Sequence, residues 1–370
     1  MSEIKLLIKK EGPALPAGPW VEGVIDSPCG PVARISTTLA FKDNWGNFKC
    51  RVSSFRNNYA VSPGLYAVGR PDRGSDVLVT ANYKYSFDVL RRELKGIDAW
   101  VLVLDTKGIN VWCAAGKGTF GTGELIKRIS SANLAAVAEH GRIVLPQLGA
   151  PGVSAHEVMR ATGFRVHYGP VRARDIPDYL NAGLKATRQM RTVRFSIADR
   201  FVLSPMEIIP AMKKYYPLYA VFVLALFGLQ PSGILFRSAF AGGFRFLLLG
   251  LIAVFSGAFL TPVLLPYVPF RSFAIKGWIM GAAALLLSFS FSLGPVPKFY
   301  GGDGVLLAAS FVFFPMASSY IALQFTGSTT FTGMSGVKKE LRIAIPVYLA
   351  SLVMSLALLA AYKLIEWRLI

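Results

Sequence analysis

The chain has 370 residues, enough for two or three domains, with 40 Lys and Arg against 21 Asp and Glu and a formal net charge of +19. Its three cysteines, Cys29, Cys50 and Cys113, form no CxxC pair, which argues against a self-contained zinc or iron–sulfur site and against a disulfide framework. Residues 1–210 hold 18 of the 21 acids and 28 of the 40 bases, leaving 3 acids and 12 bases for the apolar remainder, so the basic balance points to an anionic membrane and not to nucleic acid.

The opening MSEIKLLIKKEG has no apolar run long enough for a signal-peptide core, and the N-terminal half is expected in the reducing cytoplasm. Residues 1–75, rich in Pro, Gly and Asn, read as a β-rich N-terminal cap region belonging to the soluble domain. From Asp76 to residue 210 apolar strands alternate with amphipathic helices. Strands are expected at Asp76–Thr80, Ala99–Leu104, Ile143–Pro146 and Phe164–His167. Helices are expected at Ser86–Leu94, Gly123–Ile129, Ser154–Thr162 and Ile176–Ala182. The third helix has a Ser N-cap, Glu157 three residues later and a stop at Gly163. Such alternation predicts an α/β, Rossmann-like domain with a parallel sheet, whose ligand lies beyond the carboxyl ends of the strands. The loops Gly108–Gly123, Gln147–Val153 and Gly169–Ala173 follow strands and are expected to converge on one ligand.

The first of these loops carries Asn110–Lys117, NVWCAAGK, continuing GTFGTG. A phosphate-binding P-loop needs GxxxxGK followed by Ser or Thr; here Val111 stands at the first Gly and Gly118 follows Lys117. Gly116, Gly118 and Gly121 do fit GxGxxG, but the next strand runs into LPQLGAP, with no acid to bind ribose hydroxyls. Taken alone, without its motif, Cys113 reads as a small buried hydrophobe. Cys29 and Cys50 read as structural, and His140, His156 and His167 as capping, surface or core residues, since no DxHxxG motif accompanies them.

After residue 210 come five stretches of about 20 uncharged residues or more: Pro217–Phe236, Phe246–Phe270, Gly277–Pro297, Gly304–Val337, which must include a loop, and Ile343–Tyr362. Each is long enough to cross a bilayer core. Residues 217–370 are therefore expected to form an all-α transmembrane domain of about five helices. The spans hold few ionisable groups, which favours an anchor or scaffold over a transporter. Lys213, Lys214, Arg271, Lys276, Lys338, Lys339 and Arg342 slightly outnumber the bases of the opposite loops. That bias places the soluble half on the cytoplasmic face of the inner membrane, and five spans leave the C-terminus outside.

NVWCAAGK, together with LPQLGAPGVSAHEV, VHYGPVRARDIPDYL and the apolar tail, resembles the mercury-methylating corrinoid proteins. Their soluble domain is related to the corrinoid subunit of the acetyl-CoA pathway's corrinoid iron–sulfur protein and precedes a membrane domain; the likeness covers Arg56 to Asn181. The resemblance implies a cobalamin-type corrinoid under a short cap helix, with Cys113 as catalytic residue and lower axial cobalt ligand. It implies cofactor contacts from Asn110, Val111, Trp112, Cys113, Ala114, Ala115, Gly116, Lys117, Gly118 and Thr119 in the first loop, Gln147, Leu148, Gly149, Ala150, Pro151 and Gly152 in the second, and Gly169, Pro170 and Val171 in the third. Small residues there let backbone approach the macrocycle, Asn110 orients the cap, Trp112 covers the ring edge and Lys117 favours the thiolate. Mercury(II) is an electrophile, so it needs the methyl group as a carbanion or radical equivalent, and an electron-donating thiolate suits that transfer. A ferredoxin-like electron donor, a folate-dependent methyltransferase as methyl source, membrane lipid and the substrate mercury(II) follow as partners. Two rival expectations stand beside it: a corrinoid methyl carrier of one-carbon metabolism, and a transporter with a nucleotide-binding regulatory domain.

Overall fold

A computed structural model describes residues 18–290, 303–329 and 331–369, and the chain divides into two compact units, 1–193 and 194–370. The last residues of the expected span Gly277–Pro297, from 291 on, and the residues before Gly18 lie outside the described residues.

The first unit is built on one seven-stranded sheet. Its strands are β1 (Val21–Ser27), β2 (Gly30–Ile35), β3 (Gly64–Val68), β4 (Val77–Ala81), β5 (Ala99–Leu104), β6 (Arg142–Leu145) and β7 (Arg165–Tyr168). They lie in the order β1-β2-β3-β5-β4-β6-β7. The run β5-β4-β6-β7 is wholly parallel, and β3 joins it antiparallel to β5. The strands β4 and β5 are buried along their whole length, which explains their largely apolar sequences VLVTA and AWVLVL: both faces of the sheet are covered. The helices are α1 (Phe41–Val52), α2 (Lys84–Glu93), α3 (Val111–Lys117), α4 (Thr122–Ser131), α5 (Ala155–Thr162) and α6 (Ile176–Asn181). One core gathers Trp100, Leu102, Ala114, Ala115, Phe120 and Leu125; the other gathers Tyr66, Phe87, Leu90, Val101 and Tyr179.

The expected parallel, Rossmann-like arrangement is present in β5-β4-β6-β7, while the antiparallel pairs β3–β5 and β1–β2 make the full sheet mixed. Residues 18–75, expected as a β-rich cap region within the soluble domain, add β1, β2 and β3 to the same sheet, with α1 between the last two. The Ser154 N-cap is present, its Oγ accepting from Glu157 N at 3.4 Å, and Gly163 ends α5 at φ 75°. Helix α2 departs from the amphipathic pattern. Its Lys84, Asp88 and Arg91 are buried together with Asp43 of α1. Lys84 Nζ donates to Asp43 Oδ1 at 2.8 Å and to both oxygens of Asp88 at 2.5 and 2.6 Å. Arg91 completes the ring, Nε to Asp88 Oδ1 at 2.8 Å and Nη2 to Asp43 Oδ2 at 2.7 Å. Two cations and two anions thus satisfy one another where water cannot.

In the second unit, four helices among the described residues are long and apolar enough to cross a membrane: Phe236–Val263, Phe273–Ser290, Gly304–Gly327 and Ser335–Glu366. The first expected span, Pro217–Phe236, is not one helix. A helix covers Tyr216–Gly228, and the chain then turns through the short strands Leu229–Gln230 and Gly233–Ile234. Pro231 disfavours helix and Gly233 sits at φ 117°, so the uncharged run is broken by its turn residues. The loop required inside 304–337 falls between helices Asp303–Gln324 and Met334–Glu366.

Candidate functional site

In the parallel run, β4 leads to β5 on one side and β5 leads to β6 on the other, so the chain reverses direction between β4 and β6. In open α/β sheets such a reversal marks where ligands bind, beyond the carboxyl ends of the two strands. All three loops singled out in the sequence leave carboxyl ends of this run.

NVWCAAGK forms the short helix α3, which touches both β4 and the turn Gln147–Gly152 after β6. Asn110 is its N-cap: its Oδ1 accepts from Cys113 N at 3.0 Å. Gly118 ends it at φ 79°, donating its N–H to the Ala114 and Ala115 carbonyls. The helix is two-faced. Ala114 and Ala115 are buried in the core, with Val111 packed against it, while Trp112, Gly116 and Lys117 are exposed and Cys113 is half-exposed. Ala114 and Ala115 therefore face protein: Ala115 lies so near the turn beneath that a Cβ on Gly152 would sit 3.2 Å from its own. Gly116 is the opposite case. A Cβ there meets no atom within 4 Å, and its φ is not positive, so neither packing nor backbone conformation calls for glycine.

Phe120, fully buried, wedges α3 against the second loop. A Cβ on Gly149 would lie 2.5 Å from its ring, and one on Gly152 2.2 Å from its carbonyl oxygen. The second and third loops meet where Gln147 N donates to the Pro170 carbonyl at 3.5 Å. Gly149, Gly169 and Pro170 are buried; Gln147, Leu148, Ala150, Gly152 and Val171 are half-buried, as is Thr119, and Pro151 is exposed. The three loops thus come together, with Trp112, Cys113, Gly116, Lys117 and Gly118 as the accessible surface of the first.

Sequence reading missed what holds α3 in place. Asn82, the residue after β4, is buried, and its Oδ1 accepts from Thr106 N at 3.0 Å and Gly108 N at 2.9 Å. The Thr106 hydroxyl lies 2.9 Å from the same oxygen and 2.6 Å from the Ile109 carbonyl, one residue before the N-cap. Between them Lys107 and Gly108 adopt positive φ of 59° and 69°, a tight reversal that Asn82 clasps. An amide residue directly after a largely apolar strand was the available signal.

The remaining polar groups lie elsewhere. His140 is tied to Ser75 O and to Arg142 N at 3.0 Å each. His156 is exposed on α5. Burial, with Arg142 and Arg165 nearby, lowers the pKa of His167 below the usual histidine value. Cys50 is buried and donates to Gly46 O at 3.2 Å, with its thiol pKa raised by burial. Cys29 lies 3.1 Å from Ser27 Oγ. No group of three or more His, Cys, Asp or Glu that could hold a metal ion occurs among the described residues.

Residues 53–180 match the family described as CO dehydrogenase/acetyl-CoA synthase delta subunit, a span that contains all three loops. The chain is also similar to acetyl-CoA decarbonylase/synthase complex subunit gamma of Methanopyrus kandleri, 34% identical over 36% of this chain and 29% of the relative. The subunit gamma of Methanothermobacter thermautotrophicus is 32% identical over 34% of this chain and 28% of the relative. That of Archaeoglobus fulgidus is 29% identical over 34% and 27%. The chain thus spans less than a third of the length of these curated relatives.

Proposed function

We propose that the first unit binds a corrinoid at the carboxyl edge of its sheet, with Cys113 as the lower axial ligand of cobalt, and that the chain transfers a methyl group to mercury(II). The observation that carries the reading is the two-faced helix α3. It buries Ala114 and Ala115 and presents a thiol beside an exposed Trp112 and an open Gly116. That surface suits a flat macrocycle: an apolar ring, a soft donor atom and a position where backbone approaches unshielded. The likeness of residues 53–180 to subunits of acetyl-CoA-forming complexes supports the cofactor class. A bound corrinoid supplies a cobalt centre that receives a methyl group from a donor and passes it on. The protein's part is positional. Asn110 fixes the first turn of α3, Asn82 fixes the loop before it, and Phe120 holds it on the second loop, so the Cys113 side chain is offered from a rigid element. Among the described residues no group of cysteines could hold an electron-carrying cluster, and a ferredoxin-like donor is proposed for that task, with a folate-dependent methyltransferase as methyl source. The four apolar helices are proposed to sit in the cytoplasmic membrane with the first unit on the cytoplasmic side.

The test is methylmercury formation by membranes holding the chain, supplied with corrinoid, a methyl-donating system and mercury(II). Wild type should form it and Cys113→Ala should not; activity retained in Cys113→Ala contradicts the assignment. A second reading, a methyl carrier of one-carbon metabolism without mercury chemistry, is favoured by the names of the relatives. It predicts methyl uptake by the chain with no methylmercury formed.

A further inference from the structure

The second unit contains a cavity of about 1050 Å³ between the helices Phe273–Ser290, Asp303–Gln324 and Met334–Glu366. We propose that it binds one anionic phospholipid, with an acyl chain in the cleft and the phosphate held by Arg271 and Lys339. This rests on the proposed membrane location of the helices and is independent of the corrinoid reading.

The lining is apolar over most of its area, with Trp278, Met316, Ile343 and Ala344 among its walls. Its charged residues are three cations, Arg271, Lys276 and Lys339, and one anion, Glu340. Two of the four are already engaged. The Glu340 carboxylate accepts from Ser272 Oγ at 2.5 Å and from Ala274 N at 2.6 Å, at the start of the helix Phe273–Ser290. The Lys276 ammonium is buried and donates to the Leu265 carbonyl. Arg271 and Lys339 remain exposed, and among the described residues neither forms an ion pair. They precede or begin two apolar helices, so they lie at the same end of the bundle, where Trp278 is also half-exposed. An anionic head beside an apolar body is the complement of that wall, and basic pockets between spans recognise acidic headgroups in this way. A zwitterionic lipid would gain the apolar contacts but not the net attraction.

The full chain is reconstituted into nanodiscs containing equal phosphatidylglycerol and phosphatidylcholine, released into detergent, and its retained lipids are counted by native mass spectrometry. Wild type is expected to retain phosphatidylglycerol in preference to phosphatidylcholine. Arg271→Gln and Lys339→Gln are each expected to cut that preference about fivefold, and the double variant about thirtyfold. Ala344→Trp, which fills the cleft and leaves both cations, should lose the retained lipid. Equal retention of the two lipids by wild type overturns the proposal whatever the variants do, as does an unchanged preference in a folded Arg271→Gln chain. Alkaline carbonate separates the two readings: a chain stripped from membranes loses its membrane location, whereas one that resists stripping but shows no headgroup preference loses only the lipid site.

Discussion

Cys113 and Gly116 sit one turn apart on α3 and test different parts of the account. Gly116 meets nothing within 4 Å, so Gly116→Ala should leave the melting temperature of the folded chain unchanged or slightly raise it, since alanine is the better helix former by about 1 kcal/mol. If the macrocycle lies against that position, the same change should weaken corrinoid binding at least tenfold in a titration; unchanged affinity would move the ring elsewhere. Gly152 is the control, because a Cβ there would lie 2.2 Å from Phe120 O, and Gly152→Ala should lower stability before any cofactor is added. Asn82 acts through the loop before α3. Asn82→Ala removes the acceptor shared by Thr106 and Gly108 and should cost about 1–3 kcal/mol in a denaturant melt. The spectrum of bound corrinoid should shift in that variant while Cys113 is still present, a change that a loss of stability alone would not produce. NVWCAAGK was singled out in the sequence, with Asn110 expected to bond to the backbone of a short helix; its place as the N-cap comes from the structure. Asn82 was not singled out, because its partners are 24 and 26 residues further along and only the fold brings them together.

Among the elements, α2 shows why periodicity misleads. SFDVLRREL has the apolar spacing of a surface helix, yet Asp88 and Arg91 are as buried as Phe87 and Leu90, because α1 supplies Asp43 from 41 residues before Lys84. Lys84→Met should destabilise the first unit by roughly 3–5 kcal/mol, since it leaves the carboxylates of Asp43 and Asp88 short of a buried partner. Burial pushes the Asp43 pKa up, but the hydrogen bond and charge of Lys84, the Ala40 N–H and Arg91 outweigh it and hold the carboxyl below its usual range. With the folded pKa depressed, the ring's contribution is complete above the unfolded aspartate pKa near ~3.9. It is lost as pH falls through the lower, folded value. Thermal melts of the folded chain from pH 6 down to pH 2 should show that loss setting in below about pH 4, and Asp43→Asn, already destabilised at pH 6, should show a shallower decline. Equal slopes in the two chains would remove Asp43 from the explanation. The order of strands and helices in 76–182 was readable because buried strands and capped helices announce themselves locally. The membership of β1, β2 and β3 in the same sheet was not, since β3 pairs with β5 across 30 and more residues.

For the whole molecule, the division at Val193 predicts that a chain ending there folds and binds corrinoid with affinity within a few-fold of the full chain, measured by equilibrium titration. A folded fragment with no affinity would make the apolar helices part of the site. The number of spans was only partly legible: length and lack of charge marked the apolar runs, but the turn at Gln230–Gly233 splits one of them, and composition averages over such a break. The central claim is that the chain holds a corrinoid through Cys113, and the visible spectrum of the purified full chain, loaded with corrinoid and compared with Cys113→Ala, tests it most directly. The account predicts a coloured protein whose absorption bands shift when the thiol is removed, with Cys29 and Cys50 left intact in both. A folded wild-type chain that takes up no corrinoid, or a Cys113→Ala chain with the same bands as wild type, would contradict it.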